Sequence, residues 1–134
     1  MLFRSMQSTF PDSMAAPGGH YSHAVMADGW IFVSGQLPIA ADGTKLTDAS
    51  FETQAQQALS NVRCALQSCG ATTQHLVSVR VYITDIARWP AFNALYAQWV
   101  GTHRPARTVV PVPVLHYGLQ IEVEAVARLP ESSP

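Results

Sequence analysis

The chain has 134 residues, of which 48% are apolar and 13% charged, and its formal net charge is −1. That length supports one domain with its own core. A near-neutral chain with no basic stripe excludes electrostatically driven nucleic acid binding, and no apolar run approaches the ~20 residues of a membrane span. The charged share lies well below the usual ~25%, which points to a surface partly covered by another subunit.

Residues 1–16 read as a flexible N-terminal tail in which Met6 and Met14 are alternative starts. Met1-Leu2-Phe3-Arg4-Ser5 is too short for a secretory signal, so a cytoplasmic location is expected. Pro17-Gly18-Gly19 opens a single domain over residues 17–129, and 130–134 form a C-terminal tail. Tyr21 to Met26 reads as a strand, Asp28-Gly29 as a tight turn, and Trp30 to Ser34 as a second strand, giving a hairpin. Asp48 or Ser50 caps a helix from Phe51 to Cys69, closed by Gly70. Phe51, Ala55, Ala58, Leu59, Val62, Ala65, Leu66 and Cys69 make one apolar stripe by steps of three and four. Gln54, Gln57, Asn61 and Arg63 fall off it. Cys64 and Cys69 stand roughly 140° apart on that helix; they do not pair, and they match no metal spacing.

Val77, Val79, Val81 and Ile83 alternate with polar residues, as in a half-buried strand. Pro90 suits the first turn of a helix over 89–101, whose aromatic face of Trp89, Phe92, Tyr96 and Trp99 reads as core. Val109 to Val114 is a strand. Pro111 and Pro113 lack an N–H on the same lateral side, so this strand pairs on its other side only. Leu119 to Leu129 is the last strand, with Ile121, Val123, Ala125 and Ala127 facing one way and Glu122 and Glu124 the other. The order β-β-α-β-α-β-β is an α+β fold, a mixed sheet with two helices on one face. The second face then invites sheet-to-sheet packing of subunits.

The chemistry concentrates near the C-terminus. Arg107 sits at the mouth of one apolar strand and two carboxylates lie on the next. A guanidinium forks onto a carboxylate, and a neighbouring glutamate can move protons or hold a water. The pattern suggests a pocket for a small carboxylate-bearing molecule. Each residue also has an ordinary role open to it: a surface ion pair for Arg107, and solvated carboxylates roughly 7 Å apart for Glu122 and Glu124. His20 and His23 point to opposite faces of a strand, and no histidine pair has a metal-binding spacing.

Six groups of residues fall in an order that resembles the RidA/YjgF family of enamine/imine deaminases. They are Gly18-Gly19-His20-Tyr21-Ser22, Phe32-Val33-Ser34-Gly35-Gln36, Gln54 through Asn61, Phe92-Asn93-Ala94-Leu95-Tyr96, Pro105-Ala106-Arg107-Thr108 and Ile121-Glu122-Val123-Glu124-Ala125. Thr84-Asp85 also fits. The resemblance implies a chorismate-mutase-like fold and a homotrimer with active sites in the clefts between subunits. It implies hydrolysis of 2-imino or enamino acids to 2-keto acids and ammonia, with no cofactor or metal. Arg107 resembles the substrate-carboxylate clamp and Glu122 the residue that positions the attacking water. Tyr21, Ser34, Gly35 and Asn93 resemble pocket residues, and the backbone carbonyl of Val109 a further water anchor. This chain departs from the family in having Val109 where cysteine is common, His23 where Gln or a similar polar residue is common, and the turn Leu115-His116-Tyr117-Gly118. These departures bear on substrate preference. Two other readings stay open: a non-catalytic trimer that binds a small carboxylate, and a pathway-specific deaminase of an aminomuconate-like enamine.

Overall fold

The computed structural model describes residues 6–131. Six strands form one mixed sheet: β1 (Gln7–Thr9), β2 (Ala24–Ala27), β3 (Trp30–Gln36), β4 (Leu76–Ile83), β5 (Ala106–Pro111) and β6 (Ile121–Arg128). Their order across the sheet is β1-β2-β3-β6-β4-β5. All neighbours are antiparallel except β4 and β5. Two helices, α1 (Phe51–Ser68) and α2 (Trp89–Val100), cover one face. This is the expected α+β architecture with one strand added at the start.

That added strand corrects the expected tail. Gln7-Ser8-Thr9 pairs with Ala24–Met26, and Met14 is buried in the core. Residues 1–5 and 132–134 of the expected tails lie outside the described residues. β2 also starts later than expected. Tyr21 N–H turns back to Gly19 O at 3.0 Å, which leaves Tyr21 in a loop.

The core lies between the helices and the sheet. Ile31 and Val33 of β3, Val79, Val81 and Ile83 of β4, and Ile121, Val123 and Ala125 of β6 all point to the helices. Ala55, Ala58 and Ala65 let α1 approach them closely. Ser50 caps α1, its hydroxyl accepting from Thr53 N–H at 3.1 Å, and Gly70 ends it at φ 78°.

Two polar residues belong to the buried side of α1, against expectation. Gln54 is 0% exposed and Asn61 6%. Loop carbonyls and one loop amide satisfy them. Asn61 Nδ2 donates to Leu37 O (3.0 Å) and Ile39 O (2.9 Å). Gln54 donates to Ala49 O and accepts from Gln120 N–H at 2.9 Å. A buried amide of this kind fixes the loop it bonds, and these two hold both approaches to the cleft described next.

β5 runs over 106–111 and not 109–114. It lies at the sheet edge and pairs with β4 alone, which suits the missing N–H of Pro111; Pro113 lies beyond the strand. Val112 N–H reaches Ile83 O at 2.9 Å. Residues of the other parity, Arg107, Val109 and Pro111, therefore turn their backbone groups to the open edge.

Candidate active site

One set of residues gathers on the open face of the sheet. Two residues of β3, Ser34 and Gly35, oppose one of β6, Glu124, between the Val33–Ala125 and Gln36–Val123 pairs, which makes a β-bulge. Glu122 lies beside it. A Cβ on Gly35 would stand 2.6 Å from Glu122 Oε2 and 3.0 Å from its carboxyl carbon, so only glycine admits the carboxylate there. Ser34 is tied on both sides: its hydroxyl donates to Ser22 O at 2.7 Å, and its N–H to His23 O at 2.9 Å. Tyr21, Leu37, Ile39, His116 and Tyr117 complete a cleft of about 410 Å³ around Glu122. Burial pushes the Glu122 carboxyl above its ordinary value; the charge of His116 opposes this and Glu124 adds to it. Glu124 itself accepts a hydrogen bond from Tyr82 of the neighbouring β4, which raises the Tyr82 hydroxyl.

A second set gathers at the other face. Arg107 is in register with the core residue Val79 and so points to the helix side. Its guanidinium donates to Asn93 Oδ1 at 2.9 Å. It lies 4.9 Å from the Tyr96 ring centre and 5.7 Å from that of Trp89. No carboxylate pairs with it among the described residues. Arg107, Asn93 and Tyr96 wall a cleft of about 470 Å³ with His103, Arg104 and Pro105. His103 Nε2–H donates to Leu76 O at 2.7 Å and so ties the segment before β5 to β4.

The expected site residues thus fall into two groups that one chain does not bring together. Tyr21, Ser34, Gly35 and Glu122 share one cleft; Arg107 and Asn93 share the other. Val109 follows Arg107 on β5, with its side chain against the core and its carbonyl on the open edge. Glu122 is in register with Val110 through Tyr82, two strands or about 10 Å away across the sheet, and it faces the other side. A substrate of a few heavy atoms does not span that barrier.

Other expectations need correction. The aromatic stripe of α2 is not all core: Trp89 is 41% exposed and flanks Arg107. His23 is buried and structural. Its Nε2–H donates to Ala15 O at 2.7 Å, and its Nδ1 accepts from Gln36 at 3.2 Å. The described residues hold no cluster of three metal-ligating side chains. Sequence reasoning missed Asn61, Tyr96 and Tyr117 as site-forming residues. Only Asn61 carried a signal, an amide at helical spacing from the apolar stripe.

A mixed sheet backed by two helices, with a glutamate packed over a bulge glycine, defines an α+β protein of the chorismate-mutase-like class. The profile of the Endoribonuclease L-PSP family matches residues 12–129, and the chain belongs to that family, the RidA/YjgF/RutC group. Protein HMF1 of Saccharomyces cerevisiae is 35% identical over 116 residues, covering 87% of this chain and 89% of the yeast protein. The human 2-iminobutanoate/2-iminopropanoate deaminase is 35% identical over 114 residues, covering 84% of this chain and 83% of the human one. A putative endoribonuclease of Thermotoga maritima superposes with a TM-score of 0.89 at 31% identity, over 93% of this chain and 98% of that one. No helix among the described residues is long and apolar enough to cross a membrane.

Proposed function

We propose that this protein hydrolyses reactive 2-imino and enamino acids to 2-keto acids and ammonia, at sites shared between the subunits of a homotrimer. The observation that carries the reading is the Glu122 carboxylate, held in a cleft over Gly35 with its proton affinity raised by burial. A carboxyl held above its ordinary value keeps a proton more readily, which suits it to acid–base work. The name of the human relative supports the same chemistry.

An enamine first takes a proton on carbon and gives one up from nitrogen to become an imine. Glu122 orients a water and takes its proton as the oxygen attacks the imine carbon. The resulting carbinolamine loses ammonia as its C–N bond breaks and C=O forms. Arg107, which pairs with no carboxylate among the described residues and is braced by Asn93, clamps the substrate carboxylate by a two-pronged hydrogen bond. Placement and proton transfer supply the rate, the latter typically about 10²–10⁴-fold.

The trimer answers the division of the site. With Glu122 and Arg107 on opposite faces of one sheet, a complete pocket requires Arg107 from a neighbour. Phe32, 51% exposed, and the partly exposed Trp30 and Val126 give the open face apolar surface to cover in that assembly. Two free cysteines fit a reducing, cytoplasmic setting.

The test is coupled turnover. A pyridoxal-phosphate threonine dehydratase generates 2-iminobutanoate from threonine, and decay of the imine absorbance is followed. Wild type accelerates the decay, and Arg107→Ala, folded, does not. Near-normal rates in the folded variant would remove the clamp. No acceleration by wild type would turn the reading to a binding protein or to a specialised enamine substrate.

A further inference from the structure

The turn between β5 and β6 is held in a conformation that needs a reason. Tyr117 has φ 62° and ψ 19°, the left-handed region that costs a residue with a side chain about 1 kcal/mol or more. Several contacts keep it there. Thr47 Oγ1 donates to Tyr117 O at 2.9 Å, the Lys45 ammonium lies 4.7 Å from the Tyr117 ring centre, and Leu119 N–H donates to His116 O at 3.1 Å. Gly118, at φ 69°, passes so close to Thr47 that a Cβ would stand 3.3 Å from its methyl. The product of this clamp is a fixed His116 in the wall of the Glu122 cleft. The imidazole has no hydrogen-bond partner among the described residues. It is near enough for its charge to act on Glu122. The other ionisable groups around it are Tyr21 on the facing loop, Tyr117 beside it, Lys45 behind Tyr117, and Glu124, which is engaged by Tyr82.

Hydrolysis of an imine moves protons at two places, the water oxygen and the departing nitrogen. We propose that His116 is the second acid–base group of this site, working in counterpoint to Glu122. This rests on the deaminase reading. In the first step the water oxygen bonds to the imine carbon. Glu122 takes a proton from the water, and the His116 imidazolium gives one to the imine nitrogen. In the second step the protonated Glu122 returns its proton to the amine. His116 takes the hydroxyl proton as the C–N bond breaks and C=O forms. Ammonia leaves and both groups regain their starting states. An imidazole suits this exchange because its ring nitrogens can both donate and accept a proton.

The test uses full-length protein and 2-iminobutanoate formed by threonine dehydratase. His116→Gln should lower kcat by about 10²-fold with KM little changed and an unaltered melting temperature. His116→Ala should regain turnover when free imidazole is added, while Glu122→Gln and a protein-free control should not. A wild-type kcat in His116→Gln, or a raised KM alone, would overturn the proton-transfer role. Absence of imidazole rescue in a folded His116→Ala would also overturn it. If wild type shows no turnover, the deaminase reading fails and this inference with it. Active wild type with an indifferent His116 would sink only the inference.

Discussion

At the residue scale, Glu122, the acid–base group of the proposed reaction, carries a cost in stability. Its carboxyl is pushed up chiefly by burial, so the folded state holds the proton more tightly than the unfolded chain. The penalty on folding sets in as pH rises from the ordinary carboxylate range through the raised value, and it is complete above it. Glu122→Gln should therefore melt at a higher temperature than wild type at pH 8. The gain should shrink to nothing as pH falls below the ordinary carboxylate range. Turnover should drop while carboxylate ligands still bind. Melting curves across pH, beside a binding isotherm for a 2-keto acid, check both halves. A pH-independent stability difference would show that Glu122 is not desolvated.

At the element scale, the bulge in β3 fixes where that carboxylate sits. In Gly35→Ala the new methyl meets the mobile end of Glu122 and no backbone. The side chain swings aside, so the fold should survive with a loss within about 1 kcal/mol, whereas kcat should fall by about 10²-fold from misplacement. Denaturant titration and turnover separate the two effects. A variant as active as wild type would mean the carboxylate does not act from the position it occupies here. The bulge also marks the limit of legibility. α1, β4 and β6 were readable because one face of each is buried and its period of 3.6 or 2 is printed in the residues. β1 was not, because Gln-Ser-Thr has no apolar rhythm and gains its place only by pairing with β2. β5 was read three residues late because pairing with β4 recruits Ala106-Arg107-Thr108, which carry no strand signal of their own. Arg107 and Glu122 stood out by type and spacing. That they face opposite ways depends on the register of β5, β4 and β6, which are not neighbours in that order along the chain. His116 was visible as a histidine; its aim depends on a left-handed Tyr117 held by Thr47, seventy residues away in sequence.

At the scale of the whole molecule, the division of the site makes a subunit-mixing prediction. In the proposed trimer, Arg107→Ala and Glu122→Gln would each lack one half of every pocket. Unfolded together and refolded at equal amounts, they should assort at random, so that one interface of each mixed trimer, and about a quarter of all interfaces, pairs an intact Arg107 with an intact Glu122. Turnover should rise toward that fraction of wild type, from near zero in either variant alone. Sedimentation should give a mass of three chains. No recovery in mixed trimers would place both residues in pockets of a single chain.

The two borders of the sheet bear on how far such association can go. β1 is three residues long, and β5 turns toward solvent a border from which Pro111 has removed a donor. β5 keeps the N–H and C=O groups of Arg107 and Val109 on its border but lacks a donor at Pro111, so both borders are short or interrupted templates for a further strand. Such borders disfavour edge-to-edge pairing between copies and leave the broad faces as the better surface for association. Crowding or heating should yield a finite particle and not a fibril, and the safeguard resides in what the outermost strands withhold.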